Sequence, residues 1–173
     1  MLVLGVDIME YLDLYDEKGN LIGEKVLRTK DMKPQHGKYI KIVIVFIQNS
    51  EGKFLIQKTS KQKGNIWATT GGLVSSGYTS DDTIVKEIEE ELGLIIDFNE
   101  LKHIYTEKRE CTFQDTYYLK KDVNIKDLKL QKEEVDFVKW LSIEEIKELI
   151  KNNEFRKGNI KAFEYLLNTT QKT

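Results

Sequence analysis

The stretch GGLVSSGYTSDDTIVKEIEEELGL, residues 71–94, decides the fold of this chain. We predict a glycine-rich loop followed by an acidic helix. Ser80 is expected to cap the start of the helix, because a serine hydroxyl can accept a free backbone N–H there. Gly93 is expected to end it, because glycine readily adopts the left-handed conformation that follows many helices.

Three glutamates share one face of the predicted helix. Glu87, Glu90 and Glu91 stand at offsets of 0, 3 and 4, which are neighbouring positions on a helix surface. Like charges at this spacing repel one another, so we expect a divalent cation to offset the repulsion. A separate arc is apolar and is expected to pack into a core; it consists of Ile84, Val85, Ile88 and Leu92.

The composition indicates one folded domain. The chain has 173 residues, of which 40% are hydrophobic and 32% charged, so a sizeable core can form. Its 27 basic and 29 acidic residues nearly balance, which gives no reason to expect nucleic acid or membrane partners. Cys111 is the single cysteine, and no signal-peptide pattern opens the chain. Both features favour a cytoplasmic location.

Apolar patterns and turn residues predict the remaining elements. Residues 39–48 are rich in β-branched and aromatic side chains, so this strand should be central, with the next strand pairing back on it. The order of strands and helices predicts an α+β fold, a mixed sheet with helices packed against it. The predicted elements are an N-terminal hairpin at 10–30, strands at 39–48, 54–58, 101–106, 112–119 and 134–141, and helices at 142–151 and 158–168.

The opening stretch resembles the Nudix box, whose pattern is G-x5-E-x7-R-E-U-x-E-E-x-G-U. Gly72 and the run EIEEELGL at residues 87–94 match seven of its nine fixed positions at the right spacing. The resemblance implies a Nudix-type α/β/α sandwich with a mixed β-sheet, forming one domain over residues 1–173. Its implied parts are a hairpin and connection at 1–37, a core at 38–152, and a C-terminal helix and tail at 153–173.

Two positions depart from the pattern. Tyr78 replaces its first glutamate, and Lys86 replaces its arginine. In the family that arginine helps to orient the catalytic glutamates, whereas a lysine keeps the charge but lacks the planar fork. The wider chain is similar to the isopentenyl-diphosphate isomerase branch, but residues 68–71, ATTG, lack the cysteine that isomerisation uses. The resemblance therefore implies hydrolysis rather than isomerisation.

Nudix enzymes hydrolyse a nucleoside diphosphate linked to another moiety, and the resemblance implies this reaction here. The implied cofactor is Mg²⁺, with Mn²⁺ as a substitute, and the implied partner is a small diphosphate substrate. The hairpin could also serve as a homodimer contact. The metal ligands would be Glu87, Glu90 and Glu91, together with a carbonyl oxygen of Gly71 or Gly72.

Several alternatives stay open in the sequence. The general base is either Glu87 or Glu134 at the start of a late strand, with Glu133 beside it. The lysines of the loop at 59–65 are either solvated or face a phosphate at the mouth of the site. A weak or inactive Nudix domain that senses a ligand is the alternative function. No signature identifies the substrate.

Overall fold

A seven-stranded mixed sheet, with helices on both faces, forms the centre of the protein. The computed structural model describes residues 9–170. The strands are β1 (Tyr11–Tyr15), β2 (Leu21–Leu27), β3 (Ile40–Gln48), β4 (Phe54–Thr59), β5 (Trp67–Ala68), β6 (Thr70–Leu73), β7 (Leu101–Lys108), β8 (Thr112–Lys120) and β9 (Val135–Leu141). The helices are α1 (Ser80–Leu92), α2 (Ile143–Lys151) and α3 (Lys157–Thr170), with short 3₁₀ turns at Lys61–Lys63, Phe98–Glu100 and Ile125–Asp127.

Strand β3 lies inside the sheet, as its apolar sequence predicts. It pairs in parallel with β8 along its length and antiparallel with β6. The prediction that β4 pairs back on β3 is wrong beyond the turn, because the two strands pair only at Gln48 and Phe54. Strand β6 pairs with β3 at Ile42–Val45 on that side, and β4 pairs with β5 and β9 instead. A Cβ on Gly71 would lie 2.1 Å from the Val43 carbonyl oxygen, so only glycine allows β6 this close.

Side chains of β3 alternate between two cores, because successive residues of a strand point to opposite faces. Val43 and Val45 face α1, where they pack in one core with Ile84, Ile88 and Leu92. Ile44 and Phe46 face the C-terminal helices and pack with Phe163 of α3. The predicted α+β class and the α/β/α layering are both confirmed. Within residues 9–170, no helix is both long and apolar enough to cross a membrane.

The N-terminal hairpin is confirmed as a separate two-stranded sheet of β1 and β2. Its turn is held by Asp16, whose Oδ1 accepts the backbone N–H groups of Lys18 and Asn20 at 2.8 and 2.9 Å. Tyr15 and Tyr39 exchange two backbone hydrogen bonds of 2.9 Å, which fasten the hairpin to the start of β3. This attachment brings the end of β2 beside the glycine strand β6.

Helix α1 ends at Gly93 as predicted, with Gly93 in the left-handed conformation at φ 65°. Its N-terminal cap is Thr79, however, and not Ser80. The Thr79 Oγ1 accepts the N–H of Asp82, and the Asp82 carboxylate reaches back to the Thr79 N–H. Ser80 is the first helical residue, and its hydroxyl donates to Asp115 of β8 at 2.6 Å. Adjacent Thr and Ser are both good caps, so the tertiary partner of Ser80 decides between them.

Candidate active site

The two glycines of the predicted loop lie in strand β6 next to helix α1. The expectation of a loop here is wrong, because β3 supplies the pairing partner that turns this segment into a strand. Gly72 faces Glu87 of α1, and a Cβ on Gly72 would lie 2.6 Å from the Glu87 carboxyl carbon. The bare Cα of Gly72 is therefore what lets this carboxylate pack onto the strand.

Glu91, one turn further along α1, is buried and held in place by the sheet. Its side chain is 5% exposed, and its Oε2 accepts a 3.1 Å hydrogen bond from Gln57 Nε2 of β4. Gln57 Oε1 in turn accepts a 2.9 Å bond from the Thr70 hydroxyl of β6. This chain of contacts fixes the Glu91 carboxylate relative to both strands beside it.

The two inner carboxylates are electrostatically unfavourable in the absence of a cation. Burial, together with the neighbouring charge of Glu90, raises the pKa of Glu87 to about 7. Burial raises the pKa of Glu91 to about 8, against the opposing effect of the Gln57 hydrogen bond. Hard carboxylate oxygens beside a backbone that no Cβ blocks suit Mg²⁺ or Mn²⁺. The residues therefore fit a divalent cation.

Glu90 lies on the outer side of the glutamate face. It is 47% exposed, and its Oε1 is 3.7 Å from Lys86 Nζ. Lys86 Nζ also lies 5.2 Å from the centre of the Tyr78 ring, so the two residues that depart from the Nudix box contact each other. Within residues 9–170, no three His, Cys, Asp or Glu side chains surround one point as a metal centre would require. The three-glutamate metal site stays a prediction.

Glu134 faces the same site from the segment before β9. It lines a cavity with Glu91, and its Oε1 pairs with Lys63 Nζ at 3.1 Å. Lys63 also lines the cavity, which favours the phosphate-facing interpretation for this one lysine of the 59–65 loop. Glu133 is exposed, and its backbone carbonyl accepts the Ser60 hydroxyl at 2.6 Å. Of the two adjacent glutamates, Glu134 is thus the one at the site.

The cavity has a volume of about 260 Å³ and lies between β6, the 59–65 loop and the start of α3. Gly71 and Gly72 form part of its wall. Sequence reasoning missed several of its polar residues because they come from segments far apart in the chain and belong to no local motif. The residues missed are Arg28, Gln57, Arg109, Gln114, Arg156 and Asn159. The available signal was the scarcity of arginine, which occurs at only three positions.

Comparison with known proteins identifies several that are similar to this chain. The NUDIX domain family model matches residues 38–163. The Nudix hydrolase lmo0368 of Listeria monocytogenes is 34% identical over 151 residues, covering 85% of this chain and 88% of the relative. The structure of DR0079 from Deinococcus radiodurans has a TM-score of 0.74 at 26% identity, covering 87% of this chain and 94% of that one. The NUDIX domain of Shewanella oneidensis NrtR, complexed with ADP ribose, shares the fold, with a TM-score of 0.62 at 13% identity over 83% and 93% of the two chains.

Proposed function

Because this chain belongs to the Nudix family and is a Nudix hydrolase, we propose that it hydrolyses the diphosphate linkage of a nucleoside diphosphate joined to another moiety, or of a similar small diphosphate, with Mg²⁺ as cofactor. One observation carries this proposal. Glu87 packs against the glycine strand, and Glu91, one turn further along α1, lines a cavity that also carries basic side chains.

The residues assigned to the cation are Glu87, Glu91 and Glu90, with a main-chain oxygen of Gly71 or Gly72. A bound divalent cation would neutralise the diphosphate oxygens and make a water molecule more acidic. Mn²⁺, which also prefers oxygen ligands, would serve in its place. Gln57 supports this arrangement because it holds the Glu91 carboxylate, and Gly72 supports it because it leaves room for the Glu87 carboxylate.

We assign the general base to Glu134, with Glu87 as the alternative. A base must lie within hydrogen-bond reach of the attacking water and stay ionised at working pH. Glu134 lines the cavity, and its Oε1 lies 3.1 Å from Lys63 Nζ. Glu87 is the weaker candidate, because it is already assigned to the cation.

A substrate panel tests the proposal. We expect Mg²⁺-dependent release of phosphate or nucleoside monophosphate from at least one compound in a panel that includes ADP-ribose, dinucleoside polyphosphates and nucleoside triphosphates. Glu134→Gln should lower kcat by about two orders of magnitude or more if Glu134 is the base. Glu133→Gln is the matched control, since Glu133 is exposed and should leave kcat unchanged.

The contact between Tyr78 and Lys86 supports an alternative function. If the altered box orients its glutamates poorly, the protein would bind a diphosphate compound without cleaving it and would act as a sensor. Micromolar binding of a panel member with no turnover in Mg²⁺ or Mn²⁺ would replace the enzyme proposal with this one. Turnover that survives Glu90→Gln and Glu91→Gln together would instead refute the assigned metal ligands.

A further inference from the structure

All three arginines of the chain line the same cavity. The sequence has 27 basic residues, and apart from Arg28, Arg109 and Arg156 they are all lysines. These arginines come from the end of β2, the turn between β7 and β8, and the residue before α3. An arginine presents a planar fork that binds phosphate through two parallel hydrogen bonds, which lysine cannot do. Their convergence therefore points to a ligand with phosphate-like oxygens.

Arg156 lines the cavity and is placed to contact a ligand there. Its backbone is fixed by a 2.8 Å bond from its N–H to the Trp67 carbonyl of β5. Its side chain is half-buried, and among residues 9–170 it makes no side-chain hydrogen bond or ion pair. A guanidinium held partly out of water without acceptors is costly, and a bound anion lowers that cost. Arg156 also lies within electrostatic range of Glu91 and Glu134, so this position adjoins the carboxylates.

Arg109 is held rigidly beside the first turn of α3. Its Nη2 donates to Glu107 Oε2, Gln114 Oε1 and the Gly158 carbonyl, at 3.0, 3.0 and 2.6 Å. Within the described part of the chain, Nε and Nη1 have no acceptor, so these donors are available to a ligand. A Cβ on Gly158 would lie 3.1 Å from Nη1, so the guanidinium packs closely against the start of α3.

The start of α3 adds a second anion-binding element. Gly158 and Asn159 of its first turn line the cavity. The Asn159 N–H already donates to the Arg156 carbonyl at 2.9 Å. The helix dipole still makes this end of α3 positive, which favours an anion there. Two arginines and a helix N-terminus therefore meet in one place, on elements that the sheet holds fixed.

The lining of the cavity indicates which part of a ligand it would hold. Its volume of about 260 Å³ suits a compact group. Among the described residues, its apolar wall is Ile42, Ile44 and Leu73, and it contains no aromatic side chain on which a nucleobase could stack. A compact phosphorylated group, such as a pentose phosphate, matches both the space and the charge.

We propose that Arg109, Arg156 and the first turn of α3 bind a phosphate group that the substrate carries in addition to its scissile diphosphate. The substrate class is then a diphosphate whose compact end group is itself phosphorylated. The identity of the scissile group rests on the proposed function above, whereas the phosphate subsite rests on the arginines alone.

Binding of ribose 5-phosphate, with ribose as the matched control, tests the subsite without catalysis. The measurement is NMR of ¹⁵N-labelled protein with a chelator present. The chain has three arginines and therefore three arginine Nε–H signals, which single arginine variants assign. Ribose 5-phosphate should shift the Arg109 and Arg156 signals saturably, and ribose should not. Arg156→Gln should weaken this binding at least about tenfold, because a charge-assisted hydrogen-bond pair is lost. Arg156→Lys should weaken it less, and Lys102→Gln, on an exposed part of β7, should not weaken it.

Equal shifts with ribose, or unchanged affinity in Arg156→Gln, would overturn the subsite. Thermal melting shows whether each variant is folded, which matters for Arg109 because it also holds α3.

A kinetic arm separates this inference from the proposed function. Arg156→Gln should raise KM for 5-phosphoribosyl 1-diphosphate more than for ADP-ribose. If no diphosphate is hydrolysed but ribose 5-phosphate binds as described, the proposed function fails and the subsite stands. If hydrolysis occurs and the extra phosphate changes neither KM nor binding, the subsite fails and the proposed function stands.

Discussion

Lys86 lies between the Glu90 carboxylate and the Tyr78 ring, and neither contact is tight. The Glu90 distance is 3.7 Å, and both Lys86 and Glu90 are nearly half exposed. An exposed pair of this kind contributes little to stability and fixes orientation poorly. The ring contact at 5.2 Å keeps the ammonium near the glutamate face without directing it at one oxygen. Orientation of Glu90 is therefore the weakest part of the site.

Lys86→Arg should raise kcat several-fold if Glu90 orientation limits the rate. The guanidinium can donate two parallel hydrogen bonds to a carboxylate, whereas the ammonium acts as a point charge. Steady-state kinetics at saturating Mg²⁺ on the best panel substrate measures the change. Lys147→Arg on α2 is the matched control, because Lys147 pairs with Glu144 away from the site. An unchanged or lower kcat would show that Lys86 already suffices.

Glu91→Gln should abolish activity and yet stabilise the metal-free protein at alkaline pH. Burial raises the pKa of Glu91 to about 8, so above that pH the folded state carries a buried charge that glutamine lacks. The Gln57 amide can still donate to the new side-chain oxygen. Thermal melting in a chelator should give a higher Tm than wild type at about pH 9, and a smaller difference at about pH 5.5. Glu89→Gln, exposed on the same helix, is the control.

Strand β6 positions the site because two of its residues, Gly71 and Gly72, lack side chains. Gly71 meets the β3 backbone and Gly72 meets the Glu87 carboxylate, so two adjacent glycines have different reasons to lack a side chain. The first allows the sheet to close, and the second allows the helix carboxylate to approach. The sequence marked both glycines through the box pattern, but it did not separate their roles.

Gly72→Ala and Gly71→Ala should therefore differ in what they impair. In Gly72→Ala the methyl group meets the flexible end of Glu87, so we expect loss of metal affinity and activity with a modest fall in Tm. In Gly71→Ala the methyl group meets the Val43 carbonyl at 2.1 Å, so we expect a large loss of stability. Circular dichroism melts and Mn²⁺ titration separate the two effects. Equal Tm losses would contradict this division of roles.

The folding stability of the metal-free protein should depend on pH through the two inner carboxylates, Glu87 and Glu91. Both folded-state pKa values are raised from 4.5, to about 7 and about 8, so the folded state binds more protons than the unfolded state in this window. Stability of the metal-free protein should therefore fall as pH rises from roughly 4.5 to 8 and level off above it. Divalent cation affinity should rise over the same window, because the ligands must lose their protons.

Chemical denaturation at several pH values, with a chelator and then with Mg²⁺, measures both trends. Glu87→Gln combined with Glu91→Gln should flatten the metal-free curve across that window. A metal-free stability that rises with pH would contradict the placement of these carboxylates in a buried setting.

The homodimer contact stays a prediction, and the hairpin offers the surface for it. Leu21 of β2 is 64% exposed, and Tyr11 and Leu27 are also exposed on this two-stranded sheet. Light scattering at increasing protein concentration should show a dimer that Leu21→Lys weakens. A monomer at all concentrations would remove the hairpin from consideration as an interface. Arg28 follows β2 directly, so a dimer through this surface would also affect the mouth of the cavity.

The sequence by itself determined those features that depend on local spacing. The shared face of the α1 glutamates and the Gly93 end of that helix follow from periodicity and capping chemistry over a few residues. The apolar run of β3 likewise predicted a strand covered on both faces. The predicted cap at Ser80 was wrong, because Thr79 caps the helix while the Ser80 hydroxyl donates to Asp115 of β8.

Only the tertiary structure decided which residues meet. Gln57 holds Glu91 from 34 positions away, and the three arginines reach one cavity from three separate segments. These contacts depend on the pairing of β4 with β9 and of β3 with β6, and on the bridge from Trp67 to Phe155. Strand pairing is set by the free energy of the whole packed sheet, which no window of local sequence contains. For that reason the carboxylates were predictable from the chain, and the basic cavity beside them was not.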